Sequence, residues 1–232
     1  MSAPEQLTFA LPVAENRARG DFFVAPSNAL AFQMLENWHD WPGGKLILIG
    51  PQGAGKSHLA AIWQASAQAR ALTPDRLAGA DIAALAAGNV LLDDAEELAG
   101  NPASEEALFH LHNALQARGN ALLLCAASPP RDWPLSLADL RSRLDAMATC
   151  HIEPPDESLL AAVLVKLFAD RQIAVPPNVI AYLTPRMERS LEAAARIVEM
   201  LDQLALAEKR DVSRALAARA LERLDKARPA GA

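Results

Sequence analysis

"GPQGAGKS", Gly50 to Ser57, decides the fold. It fits the pattern G-x-x-x-x-G-K-[ST], and each residue type has a chemical reason. Gly50, Gly53 and Gly55 let successive backbone N–H groups turn toward an anion without a Cβ in the way. Pro51, Gln52 and Ala54 fill out the turn. The helix starting near Lys56 points its positive end at that anion. The Lys56 ammonium reaches the β- and γ-phosphates of a nucleotide, the Ser57 hydroxyl can ligate Mg²⁺, and His58 follows on the first helical turn. Just upstream, "KLILIG" (Lys45 to Gly50) is a short apolar run ending in glycine, as in a buried parallel strand. The motif therefore lies where it should, between strand and helix.

Further runs of the same kind follow: "NVLLDD" (Asn89 to Asp94), "NALLLCAA" (Asn120 to Ala127), the weaker "ATCHI" (Ala148 to Ile152), and "ARALTP" around Leu72. Between them, helical spacing covers Lys56 to Ala69, about Asp81 to Ala87, Ser104 to Ala117 and roughly Leu137 to Leu144. This alternation predicts an α/β fold with a parallel five-stranded sheet covered on both faces. After "EPPDES" the strands stop. Asp156 is a good N-cap for a helix carrying Leu159, Leu160, Val163, Leu164 and Leu167, and later helices are expected over Pro177 to Leu183, Ser190 to Glu208 and Val212 to Leu224. The expected division is a tail and linker over 1–19, an α/β nucleotide-binding domain over 20–154, a small all-helical domain over 155–226, and a frayed end over 227–232.

Composition agrees with a globular protein: 232 residues, 51% hydrophobic and 22% charged. No window approaches about eighteen uninterrupted apolar residues, and no basic n-region precedes an apolar core, so neither a membrane span nor a signal peptide is expected. Cys125 and Cys150 lie in apolar runs and read as buried free thiols of a cytoplasmic protein. Net charge is −6; from His151 onward twelve acidic residues match twelve basic ones, so the acid excess lies before that point. Charge alone argues against a nucleic-acid-binding module.

"VLLDDAEEL" supplies the other half of the site. An apolar strand ending in Asp93-Asp94 puts a carboxylate at the sheet's carboxyl edge, where a Mg²⁺-bound water would sit.

Taken together, these stretches resemble the AAA+ ATPases, and more narrowly the branch containing the bacterial replication initiator DnaA and its shorter relative Hda. "GDFFVAPSNALA" (Gly20 to Ala31) is similar to the segment lying over the adenine in that branch. "GPQGAGKSHLA" continues with His58-Leu59-Ala60 as the branch does. "NVLLDDAEEL" has its Asp-Asp ending, "LFHLHNAL" its Phe-His-x-x-Asn helix, "LADLRSRLDA" its arginine-finger segment, and "MERSLEAAARIVEMLDQLALAEKR" its sensor-2 helix in the lid. The resemblance implies an AAA+ P-loop core with a helical lid, binding ADP or ATP with Mg²⁺. DnaA carries further domains on either side of its ATPase core. This sequence stops just past the lid, which fits an Hda-like regulator rather than an initiator.

The resemblance also implies roles. Arg143, in "RSRL", occupies the finger position, from which a guanidinium reaches the γ-phosphate of a neighbouring subunit; such fingers are worth roughly 10³ to 10⁵ in rate. The implied target is ATP held by DnaA. Arg141 is the adjacent alternative, and a surface pairing of Arg143 with Asp139 or Asp145 is the plain structural one. Arg189, in "ERSLEA", occupies the sensor-2 position. At sensor 1 the sequence reads "LLLCAASPP", with Ala127 where initiators carry a polar residue orienting the attacking water. Slow hydrolysis by this subunit is therefore expected, with Ser128 the nearest hydroxyl, as in a protein that keeps ADP as a structural ligand.

"QLTFAL" resembles the hexapeptide that docks on the DNA sliding clamp, Gln-Leu-x-Leu-x-Leu, with Phe9 for the middle leucine. Gln6 would hydrogen-bond at a pocket rim while Leu7, Phe9 and Leu11 bury apolar surface, several kcal/mol at about 25 cal/mol per Å² before ordering costs. A short edge strand on the core sheet is the alternative. The implied partners are DnaA and the clamp, with DNA contact indirect through the clamp. A free-standing ATPase such as a helicase loader, and a non-catalytic nucleotide-binding scaffold, are the competing functions. Trp38, His39 and Trp41 are expected beside the nucleotide site. His110 and His112 face different sides of one helix and make no metal site. Trp133 reads as a loop anchor or a partner contact.

Overall fold

A computed structural model describes residues 22–227. Side chains alternate along each central strand, and this builds the α/β half. β1 (Lys45–Ile49) is fully buried; its Ile47 and Ile49 face one apolar cluster, and its Leu46 and Leu48 face another. β4 (Leu122–Ala126) and β3 (Val90–Leu92) divide the same way, which is why all three read as unbroken apolar runs. β2 (Arg70–Leu72) and β5 (Ala148–His151) form the edges and carry exposed residues. All pairings are parallel, in the order β2-β3-β4-β1-β5, with Lys45 opposite Leu122 and Leu46 opposite Ala148. The five strands fall where the apolar runs placed them.

One face is covered by α1 (Ala29–Glu36) and α2 (Lys56–Ala67). The other packs under α3 (Pro74–Leu77), α4 (Ile82–Leu85), α5 (Pro102–Arg118) and α6 (Ala138–Asp145). Asn101 starts α5 by accepting the N–H groups of Ala103 and Ser104, so the helix begins a little before the expected Ser104. The stretch expected over Asp81 to Ala87 is a single turn, capped by Asp81 through the Ala84 N–H. α1 and α3 carry no clear apolar period and were not expected as helices.

Four helices follow and bury a core of their own: α7 (Glu157–Asp170), α8 (Pro177–Leu183), α9 (Leu191–Glu208) and α10 (Arg214–Ala227). Asp156 caps α7 by accepting the Leu159 N–H at 2.8 Å, and Ser190 caps α9 by accepting that of Ala193 at 3.2 Å. Phe168, Leu183, Val198, Leu201 and Leu216 sit at 0% exposure, the apolar face of each helix meeting the others.

Candidate functional site

The Gly50–Gly55 turn joins β1 to α2 and has the backbone the motif demands. Gly53 (φ +73°) and Gly55 (φ +105°) are left-handed. A Cβ on Gly50 would lie 2.4 Å from the Ile152 side chain, and one on Gly53 would lie 2.0 Å from Ser190 Oγ. The glycines thus serve close approach as well as curvature. The N–H groups of Gly53, Gly55, Lys56 and Ser57 have no acceptor among the described residues, and they gather at the amino end of a twelve-residue helix. That is a fit for a phosphate chain. Lys56 is buried at 8% exposure, its Nζ donating to the carbonyls of Gly50 at 2.7 Å and Pro51 at 3.1 Å, so the ammonium is held within the turn. Gln52 is exposed and donates to Glu192 on α9, while Ala54 is buried.

Ser57 and Asp93 line one cleft of about 370 Å³. A hydroxyl and a carboxylate there suit Mg²⁺ that takes its remaining ligands from phosphate and water. Among the described residues no cluster of three His, Cys, Asp or Glu stands ready to hold a metal without such help. Asp94 adopts a left-handed conformation (φ 50°), which turns the chain sharply at the strand's end. Partial burial, and next the charge of Asp93, hold its pKa above the ordinary value, with Lys56 opposing. Cys125 and Cys150 are buried free thiols; burial pushes Cys125 well up, and Asp93 adds to it.

Two acids that the sequence reading did not single out organise the rest. Glu96 Oε1 accepts the Ala127 N–H at 2.7 Å, tying the end of β3 to the sensor-1 position. Glu105, fully buried on α5, accepts from the N–H groups of Gly100, Ser136 and Leu137 and from the Ser136 hydroxyl. Burial alone would raise its pKa, but these donors reverse that and hold the carboxyl below its usual value. Apart from Gly100, their partners lie about thirty residues away in sequence, beyond any local pattern; an acid in an otherwise apolar helical stripe was the available clue.

The two arginines of "RSRL" part company. Arg141 is half-buried, donating to the carbonyls of Trp133 and Leu135 at 3.3 and 3.0 Å. Arg143 is exposed, and no hydrogen bond or ion pair holds its guanidinium among the described residues, including Asp139 and Asp145. Arg189 is exposed, 3.7 Å from Glu157, and immediately precedes the residues that touch Gly53. Phe22 stacks on Phe32 and meets the His58 ring edge-on at 5.4 Å, so the segment leading into the domain reaches the first turn of α2.

Some placements differ from expectation. Trp41 and Trp38 pack on Trp63, the eighth residue of α2, about 10 Å along the helix from its start. They build core rather than site. Trp133 is a loop anchor, 2% exposed, its indole N–H donating to the Ser128 carbonyl. The residues Gln6, Leu7, Phe9 and Leu11 lie outside the described residues. No helix among the described residues is long and apolar enough to cross a membrane.

No protein-family model matches the chain. It is similar to the chromosomal replication initiator protein DnaA of Caulobacter vibrioides, 29% identical over 224 residues, a match covering 81% of this chain and 46% of that protein. The chain thus spans about half the length of the curated relatives it matches. Among solved structures, domain III of the Thermotoga maritima replication initiation protein DnaA superposes with a TM-score of 0.76 at 20% identity, covering 91% of this chain and 98% of that one. AMPPCP-bound DnaA from Aquifex aeolicus gives 0.68 at 18%, covering 89% and 67%. A five-stranded parallel sheet with this turn after β1 and four helices following the sheet is the fold of the AAA+ P-loop nucleoside triphosphatases. The domain is similar in sequence and in fold to the corresponding part of DnaA.

Proposed function

We propose that this chain is an Hda-like regulator of chromosome replication, working in the cytoplasm. It binds ADP or ATP with Mg²⁺ between the Gly50–Ser57 turn and the helical lid, with Ser57 and Asp93 on the metal and Arg189 on the phosphates. Gln6, Leu7, Phe9 and Leu11 dock it on the DNA sliding clamp. Arg143 then reaches ATP held by a DnaA partner and stimulates its hydrolysis, which prevents re-initiation. The observation that carries this reading is the contrast within α6: Arg141 is consumed by its own subunit, whereas Arg143 stands exposed and unbonded among the described residues, as a finger acting on another molecule must. Ala127 supports slow turnover by the chain itself. The test is hydrolysis of DnaA-bound ATP with clamp loaded on DNA. The native chain should accelerate it, Arg143→Ala should not while still binding clamp, and no acceleration by the native chain removes the proposal.

Lys56, Ser57, Asp93 and Asp94 together favour a second reading, an ATPase that turns over unaided. Substantial hydrolysis by the purified chain without partners would support it.

A further inference from the structure

The cleft shared by Ser57 and Asp93 has a far wall that the motifs do not account for, made by the end of β2 and the turn into α3. Thr73 and Arg76 stand there. Leu77 is fully buried and Pro74 is buried, so the one-turn helix carrying Arg76 is fixed to the core, and the Arg76 N–H closes the turn on the Thr73 carbonyl at 3.1 Å. The neighbouring Asp75 carboxylate is engaged by the Thr73 hydroxyl. Arg76 itself is exposed, and its guanidinium has no hydrogen bond or ion pair among the described residues.

An arginine and an aspartate that line one cavity can pair within it or hold a ligand between them. Here Arg76 and Asp93 face the same space of about 370 Å³ without pairing. At about 30 Å³ per water, the gap holds on the order of ten water-sized groups. The occupant that satisfies both walls carries an anion for the guanidinium and a cation for the carboxylate and the Ser57 hydroxyl. A metal-bound terminal phosphate has both, and the guanidinium fork matches its oxygens bidentately. A nucleoside diphosphate lacks that terminal group.

The geometry points to Arg76 as a terminal-phosphate contact that makes this site prefer a nucleoside triphosphate over a diphosphate. This rests on the nucleotide-binding reading above and adds its selectivity. It is separate from the action of Arg143, which is directed at another molecule's nucleotide.

Titration calorimetry with the full chain, Mg²⁺, ADP and non-hydrolysable AMPPCP tests it. The native protein should bind AMPPCP more tightly than ADP. Arg76→Gln should weaken AMPPCP binding about tenfold or more, the scale of a lost charge-assisted contact, while leaving ADP within about twofold. Arg76→Lys, which keeps the charge but loses the fork, should fall between. Because Arg76 is exposed, unchanged ADP binding also certifies the fold of each variant. An AMPPCP-to-ADP ratio in Arg76→Gln equal to the native ratio overturns the inference while leaving nucleotide binding intact. If the native chain binds neither nucleotide, the reading beneath it falls as well.

Discussion

The Leu191 N–H, at the start of α9, donates to the Gly53 carbonyl at 2.7 Å. The four-helix half is thereby bonded to the backbone of the Gly50–Ser57 turn itself, not merely positioned over it. Ser190, one residue earlier, occupies the space where a side chain at 53 would go. The position of that half and the conformation of the turn are one mechanical unit.

Gly53→Ala follows directly from that contact. The new methyl would meet Ser190 Oγ at 2.0 Å, and φ +73° disfavours any L side chain. The expected cost is about 1–3 kcal/mol in chemical unfolding, together with loss of nucleotide affinity as α9 is pushed off the turn. Gly79→Ala, with nothing within 4 Å of its Cβ, is the matched control and should be near neutral.

Arg141→Ala and Arg143→Ala should separate stability from function. Removing Arg141 frees two carbonyls of the loop before α6 and should cost about 1–2 kcal/mol. Removing Arg143 breaks no bond among the described residues and should stay within about 0.5 kcal/mol in the same urea titration. Only the second substitution should abolish acceleration of DnaA-bound ATP hydrolysis by an otherwise intact chain.

Glu105 gives an acid dependence of known sign. Its folded pKa lies below the ordinary value, so its stabilisation is present above the unfolded pKa, near 4.5, and is lost as pH falls through the folded value. Glu105→Gln should lower stability at neutral pH by about 2–3 kcal/mol and flatten the loss below about pH 4.5. Urea midpoints collected from pH 7 to 3 for both chains check it.

His112 acts higher on the pH scale. Burial, then the Lys45 charge, lowers its pKa from 6.5 to about 4, so the folded chain holds it neutral. The unfolded chain takes up a proton that the native one refuses, and stability should decline as pH drops from about 6.5 to about 4. His112→Leu should remove that part of the slope in midpoints measured across the window.

The middle of the sheet was readable because β1, β3 and β4 are buried on both faces, and β1 and β3 run into residues with a job, Gly50 and Asp93. α8 was readable at both ends because Pro177 opens it and its apolar residues are few and regularly spaced. α1 was not: its burial falls on Ala31 and Leu35 alone, too little to reveal a period over eight residues. At the site, the turn and the strand-end acids belong to contiguous motifs, so their chemistry showed directly. Glu96 and Glu105 act through partners brought close by the folded chain, and Arg76 shares a cleft with Asp93 only once the chain is folded. Arg141 and Arg143 looked alike because the carbonyls that separate them carry no side-chain signature.

The indole cluster behind α2 has a practical consequence. Trp38, Trp41 and Trp63 lie on one side of the sheet and Trp133 on the other, while the lone tyrosine, Tyr182, belongs to the four-helix half, with the Arg186 and Arg214 guanidiniums over its ring. All four tryptophans therefore report on the α/β half and none on the four-helix half. Emission spectra, set beside far-ultraviolet circular dichroism that sums the helices of both halves, can tell whether the two melt in concert or one after the other.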